Sequence, residues 1–304
     1  MHRSSLLARL LTIVTALIFT PIAIGLLSSG GYVWANAVIT RYAQGGPDLA
    51  AFAGPVAMQL LGLLLLAGVV ITGVWSSAGL LAAGIWGLIW LLVSAIPSAM
   101  IEVYQGATSF LPQGWIDGTT YGITSGLCVA LGAMGLVLFT VRRRPSTRRA
   151  GAVLLGILLA PLTLLIGGWL FIRGVAGSQM RALLLSDLSF NVGATLAMLG
   201  GVLLIVLGVG VTRWSSWALL LPAATLLVAT AILMLPDGYP LLGAVLPADT
   251  VQSAFMFFLL GGGTATAVVY LAFTAVMHRM RARASGAPQA VGAPQTAGAP
   301  QTAE

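Results

Sequence analysis

Lysine is absent from this chain of 304 residues, cysteine occurs once, histidine twice, and charged residues make up only 7%. Each shortage excludes something. The single cysteine, Cys128, leaves no partner for an intrachain disulfide. The two histidines, His2 and His278, stand at the ends of apolar blocks, so they assemble neither a bis-histidine haem site within a membrane nor a zinc cage. No Asp, Glu, Arg or His falls near the centre of an apolar block, which disfavours proton-coupled transport through a buried carboxylate. HExxH, GxSxG, GxxxxGK[ST] and Asp-rich diphosphate motifs are all missing. No catalytic, metal or cofactor site is therefore expected, and an ATP-driven action would need a separate ATPase chain.

What is present is apolar: 59% of residues are hydrophobic. Soluble domains carry about 25% charge, and a globule of this length has too little interior to hide so much apolar surface. The apolar residues come in blocks of about 20, the length that crosses a ~30 Å hydrocarbon core. They are too long and too uniform for barrel strands. The reading is an all-α polytopic membrane protein with eight transmembrane helices near 5–27, 53–75, 78–100, 119–141, 150–173, 190–212, 215–236 and 250–277. The first block is read as a retained span and not a signal peptide, because its apolar run is too long and Ala35-Asn36-Ala37 lies far beyond it.

The net charge of +7 does not signal nucleic acid, since the 14 basic residues are all Arg and most flank apolar blocks. With both termini cytoplasmic, eleven arginines fall inside and only Arg41, Arg173 and Arg181 outside. Asp48, Glu102, Asp117, Asp187, Asp237 and Asp249 fall in or beside outer loops. That positive-inside pattern predicts a multi-pass protein of the cell membrane with an N-in, C-in topology.

Trp75-Ser76-Ser77 returns as Trp214-Ser215-Ser216, and Pro97 with Pro236, Gly54 with Gly193 and Gly62 with Gly201 share that offset of 139. The predicted organisation is two tandem, parallel four-helix units, 1–144 and 145–284, with a disordered cytoplasmic tail at 285–304 where "GAPQ" recurs. The Trp-Ser-Ser triplets read as short cytoplasmic turns whose serines cap the next helix. The stretches after the first helix of each unit read as interfacial helices, with Tyr32, Trp34, Trp169 and Phe171 at headgroup level.

Three groups are candidate functional residues, each with a plainer alternative. Arg41, Arg181, Glu102 and Asp237 form a candidate polar site on the outer rim, or simple interfacial anchors. Gly118, Gly122 and Gly126 recur every four residues along the fourth predicted helix, and Gly261, Gly262 and Gly263 open the eighth. They serve close helix packing or mark a hinge. Trp86 and Trp90 share one helix face and outline a candidate apolar groove, or a stack against lipid or a neighbouring helix.

The expected function is a transporter or permease-like protein for an apolar or amphipathic substrate. The alternative is a non-catalytic accessory or assembly subunit of a larger membrane complex, with another membrane subunit as its partner. A membrane-embedded enzyme ranks third. The expected surroundings are the lipid bilayer.

Overall fold

The structure, a computed structural model, describes residues 5–42, 50–143, 150–185, 187–235 and 238–285. Every regular element among the described residues is helical. Helix α1 (Leu6–Tyr42) has 37 residues, which at about 1.5 Å each is roughly 55 Å, far beyond a ~30 Å hydrocarbon core. This corrects the expectation of a span followed by a separate interfacial helix. No proline interrupts the run after Pro21. The Gly30-Gly31 pair does not break it either, because neighbours occupy the space where side chains would be. A Cβ at Gly30 would meet the Pro55 carbonyl at 2.6 Å and one at Gly31 the Leu260 Cα at 2.5 Å.

Helix α2 (Ala50–Thr72) returns along α1, and a turn leads to α3 (Ala78–Ala95). The next stretch, read from sequence as an outer loop, is two short helices, α4 (Pro97–Ala107) and α5 (Gln113–Thr120). Then comes α6 (Ile123–Arg143). The fourth predicted helix is thus broken. Gly118 belongs to α5 and Gly126 to α6, while Gly122 sits between them at φ +78°. L-residues with a Cβ are strained there.

In the second half α7 (Ala150–Val175) continues through a π-helical turn at Ala176–Met180 into α8 (Arg181–Leu185). Helices α9 (Val192–Gly210), α10 (Leu220–Leu233), α11 (Gly238–Val245), α12 (Ala248–Leu259) and α13 (Gly262–Ser285) follow. A break at Gly261, φ +88°, bends the α12–α13 pair by 58°. Among the described residues six helices are long and apolar enough to cross a membrane, or seven if that bent pair counts as one span. The span expected at 215–236 is the 14-residue α10. Turns occupy Ser216–Leu219, and Pro222 is accommodated in the first helical turn, where its missing N–H costs no bond.

Buried α6 lies at the centre, against α3, α9 and α13. Its approach to α3 is a glycine contact, where a Cβ on Gly132 would lie 2.6 Å from the Gly84 Cα. Such close backbone approach is how helices gain dispersion contacts in lipid. Packing crosses between the halves: α2 lies on α13, and α9 on α6.

The Trp-Ser-Ser turns carry the same bonds in both places. Ser76 Oγ accepts from the Ala78 N–H at 3.2 Å, and Ser215 Oγ from the Trp217 N–H at 3.3 Å. Ser77, the residue preceding α3, makes no side-chain cap bond. Arg142, at the end of α6, donates to the Gly73 carbonyl. Arg281, near the end of α13, donates to the Thr212 and Arg213 carbonyls at 2.9 and 2.8 Å. Each guanidinium thus satisfies carbonyls at or just beyond a helix C-terminus that have no intrahelical partner.

Candidate functional site: an aromatic cavity under the α4–α5 cap

The tightest local fit that shapes this region is between Gly25 of α1 and Trp115 of α5. The indole lies against bare α1 backbone, and a Cβ at Gly25 would sit 2.6 Å from its Cζ2. Gly114 and Gly118, one turn apart on α5, bring that helix onto Ser29 and Ser28 of α1 in the same way. Pro112, extended at ψ 142°, sets where α5 begins. Small residues on one face of an eight-residue helix therefore seat it on α1 and aim Trp115 inward.

The result is a cavity of about 190 Å³. Pro21, Ile24 and Gly25 of α1 form one wall and Trp86 and Trp90 of α3 another. Met100, Val103, Tyr104 and Ala107 of α4, with Leu111, form the cover. Trp115, Ile116 and Thr119 of α5 and Thr124 of α6 complete it. Trp86 and Trp90 meet edge to face, with ring centroids 5.9 Å apart at 81°. Their indole N–H groups are buried without a hydrogen-bond partner, as is the Ser94 hydroxyl one turn further along α3. Because both indole nitrogens are occluded, the rings meet the cavity as carbon, and the wall is almost wholly apolar.

Polar chemistry gathers at the cover. Gln113 Nε2 donates both to the Tyr104 hydroxyl oxygen and to Asp117 Oδ1, each at 2.8 Å, tying α4 to α5. Partial burial pushes the Asp117 carboxyl above its ordinary range, partly offset by the Gln113 bond. Thr119 and Thr124 share a hydrogen bond at 3.1 Å across the break at Gly122.

No known protein family, characterised protein or solved structure matches the chain.

The remaining candidate residues fall elsewhere. Arg181 pairs with Asp187, six residues on, at 2.8 Å, with both side chains partly exposed. Asp187 is held below the usual carboxylate range, first by the Ser189 hydroxyl and N–H and then by Arg181. Glu102 is exposed on α4. Arg41 ends near the C-terminus of α1, but its side chain and all of Asp237 lie outside the described residues. Of the four rim candidates, Glu102 and Arg181 have described side chains, and Arg181 is the one that is paired. Gly122 and Gly126 face Phe171, whose ring would lie 3.1 and 3.2 Å from an added Cβ. Phe171 is consequently 3% exposed, packed inside the protein, whereas Trp169 remains partly exposed with Arg173 over its ring. Gly262 and Gly263 pack against Phe257 and Phe258.

Sequence reasoning singled out Trp86 and Trp90 but missed Tyr104, Gln113, Trp115 and Asp117. The available signal was Pro112 followed by Gly114 and Gly118 at helical spacing around Trp115, which marks a short packed helix instead of a loop. The second half differs at the matching place. Thr225 and Ala229 stand 139 positions after Trp86 and Trp90. Helix α12 has 12 residues against eight in α5, one helical turn more. Near α12 two ring pairs form, Phe257 on Phe258 at 5.7 Å and Tyr239 on Phe255 at 5.2 Å.

Proposed function

We propose that the protein is a permease-like protein of the cell membrane that takes an amphipathic molecule into the α4–α5 cavity. The apolar body of that molecule fills the space between Trp86, Trp90 and Trp115, and its polar end reaches the Tyr104–Gln113–Asp117 cluster. The observation that carries this reading is the cavity itself: a pre-formed apolar space beside a few convergent polar groups is the ordinary form of a small-molecule site. Its volume exceeds the ~150 Å³ of an engineered cavity that holds benzene.

The chain is read as two tandem four-helix units with the same orientation, both termini cytoplasmic. Supporting this, Arg142 with Gly73 and Arg281 with Thr212 are matching pairs 139 positions apart, and so are the positive-φ glycines Gly122 and Gly261. On this reading α4–α5 and α11–α12 are the outer caps. In α10, about 21 Å of helix is extended by its flanking turns to complete an eighth crossing.

The test uses purified protein reconstituted in liposomes with N-phenyl-1-naphthylamine, an uncharged fluorescent amphiphile. Wild type binds and moves it between compartments, whereas Ala107→Phe, which fills the cavity from α4, loses both. Unchanged binding and movement in that variant would sink the reading. For orientation, a cysteine introduced at Glu102 should label from outside and one at Arg143 only after permeabilisation; the reverse pattern defeats the topology.

A further inference from the structure

We infer that the cavity selects amphiphiles whose polar end is cationic, with Asp117 supplying the counter-charge; this rests on the small-molecule reading above. The first ground is charge complementarity. The chain as a whole is +7, yet residues 97–122, which form the cap, contain two acids, Glu102 and Asp117, and no basic residue. The second is the wall. Trp86, Trp90, Trp115 and Tyr104 line the space, and the N–H groups of both α3 indoles are buried and without a partner. Ring faces carry negative quadrupole potential and attract a desolvated ammonium, while offering nothing to an anion. The third is position. Asp117 stands behind the lining, one hydrogen-bonded amide away from it: Gln113 donates both to its carboxylate and to the hydroxyl of the lining residue Tyr104.

Nothing else described around Asp117 neutralises it. Tyr121 is a titratable side chain that interacts with it, and Tyr104 is linked to it only through the shared Gln113 amide. Helix α5 packs on α1 and α6. Among residues with described side chains, α1 carries Arg9 and Tyr32, and α6 carries Cys128, Arg142 and Arg143. Arg9 is 19 residues from the Ser28 contact with α5, and Arg142 is 19 from the start of α6, each nearly a membrane thickness away. A carboxylate without a cation beside it is the group an incoming ammonium satisfies. A bound cation would in turn favour its ionised form, so binding and deprotonation are linked.

The experiment is calorimetric titration of the full chain in mild detergent with three ring compounds of similar size: benzyltrimethylammonium, its neutral carbon isostere neopentylbenzene, and benzenesulfonate. The cation should bind about tenfold more tightly than the neutral isostere, and the sulfonate most weakly. Its affinity should rise with pH through the Asp117 titration while that of the isostere stays flat. Asp117→Asn should reduce cation binding to the neutral level and remove the pH dependence, while Glu102→Gln retains both. The wild-type pH comparison stands even if a variant fails to fold. Equal or tighter binding of the isostere or the sulfonate overturns the cation inference and leaves the amphiphile reading intact. Absence of binding by all three overturns the amphiphile reading itself.

Discussion

Asp117 is an acid in a place that disfavours its charge, and its energetics follow from that. Its folded-state pKa is raised, chiefly by burial. A raised carboxyl contributes stability at pH below its unfolded value, near 4, and that contribution is lost as pH climbs through the folded value. Asp117→Asn keeps an oxygen for Gln113 and removes the charge. The variant should unfold at a higher temperature than wild type at pH 7, with the two curves converging near pH 4. A lower melting temperature at pH 7 would mean that the ionised form is stabilised and not strained. Gly25 makes a steric point at the same scale. Gly25→Val pushes a side chain into the Trp115 ring, so it should cost about 1–3 kcal/mol through overpacking and shift tryptophan emission, both read in one fluorescence melt.

Helices in this protein are set by what happens at their ends and at their closest approaches. The two arginine bonds illustrate the ends: Arg142 serves the carbonyl after α2 and Arg281 those after α9. Arg142→Gln and Arg281→Gln should each destabilise by about 1.5–3 kcal/mol, the range for hydrogen bonds involving charged groups. Because they serve different turns their effects should add within about 0.5 kcal/mol, measured by denaturant unfolding in detergent. Strong non-additivity would mean that one guanidinium supports both turns. Gly132→Val illustrates the approaches, since it separates α3 from α6 at Gly84 and should prevent assembly of a monodisperse protein on size-exclusion chromatography. The positions of α2, α3, α7 and α9 were legible from apolar block length alone. The cap was not. Helices α4 and α5 have too few apolar residues to register as spans, and their order comes from Ser28, Ser29 and Gly25 on a distant segment. Likewise, the continuation of α1 past Gly30 depends on Pro55 and Leu260, which no local pattern announces. Trp86 and Trp90 stood out because bulky rings in the middle of a span are unusual, while Trp115 lies between two apolar blocks, where no span pattern marks it.

At the scale of the whole molecule, the halves hold each other. Helix α2 rests on α13 and α9 on α6, so neither half completes its packing alone. Fragments 1–144 and 145–304 expressed together should therefore co-purify, and each alone should aggregate; a stable, monodisperse single fragment would contradict that dependence. The turn-for-turn agreement of the arginine caps contrasts with the disagreement between α5 and α12, where α12 is one helical turn longer and carries the paired rings of Phe257 and Phe258. That extra turn bears on stoichiometry. Two equivalent compartments would saturate at two ligands per chain and would leave an assay unable to say which one was occupied. Phe257 stands against Phe258 in α12 at 5.7 Å, so the proposal expects one ligand per chain, and a titration that saturates at two would contradict it.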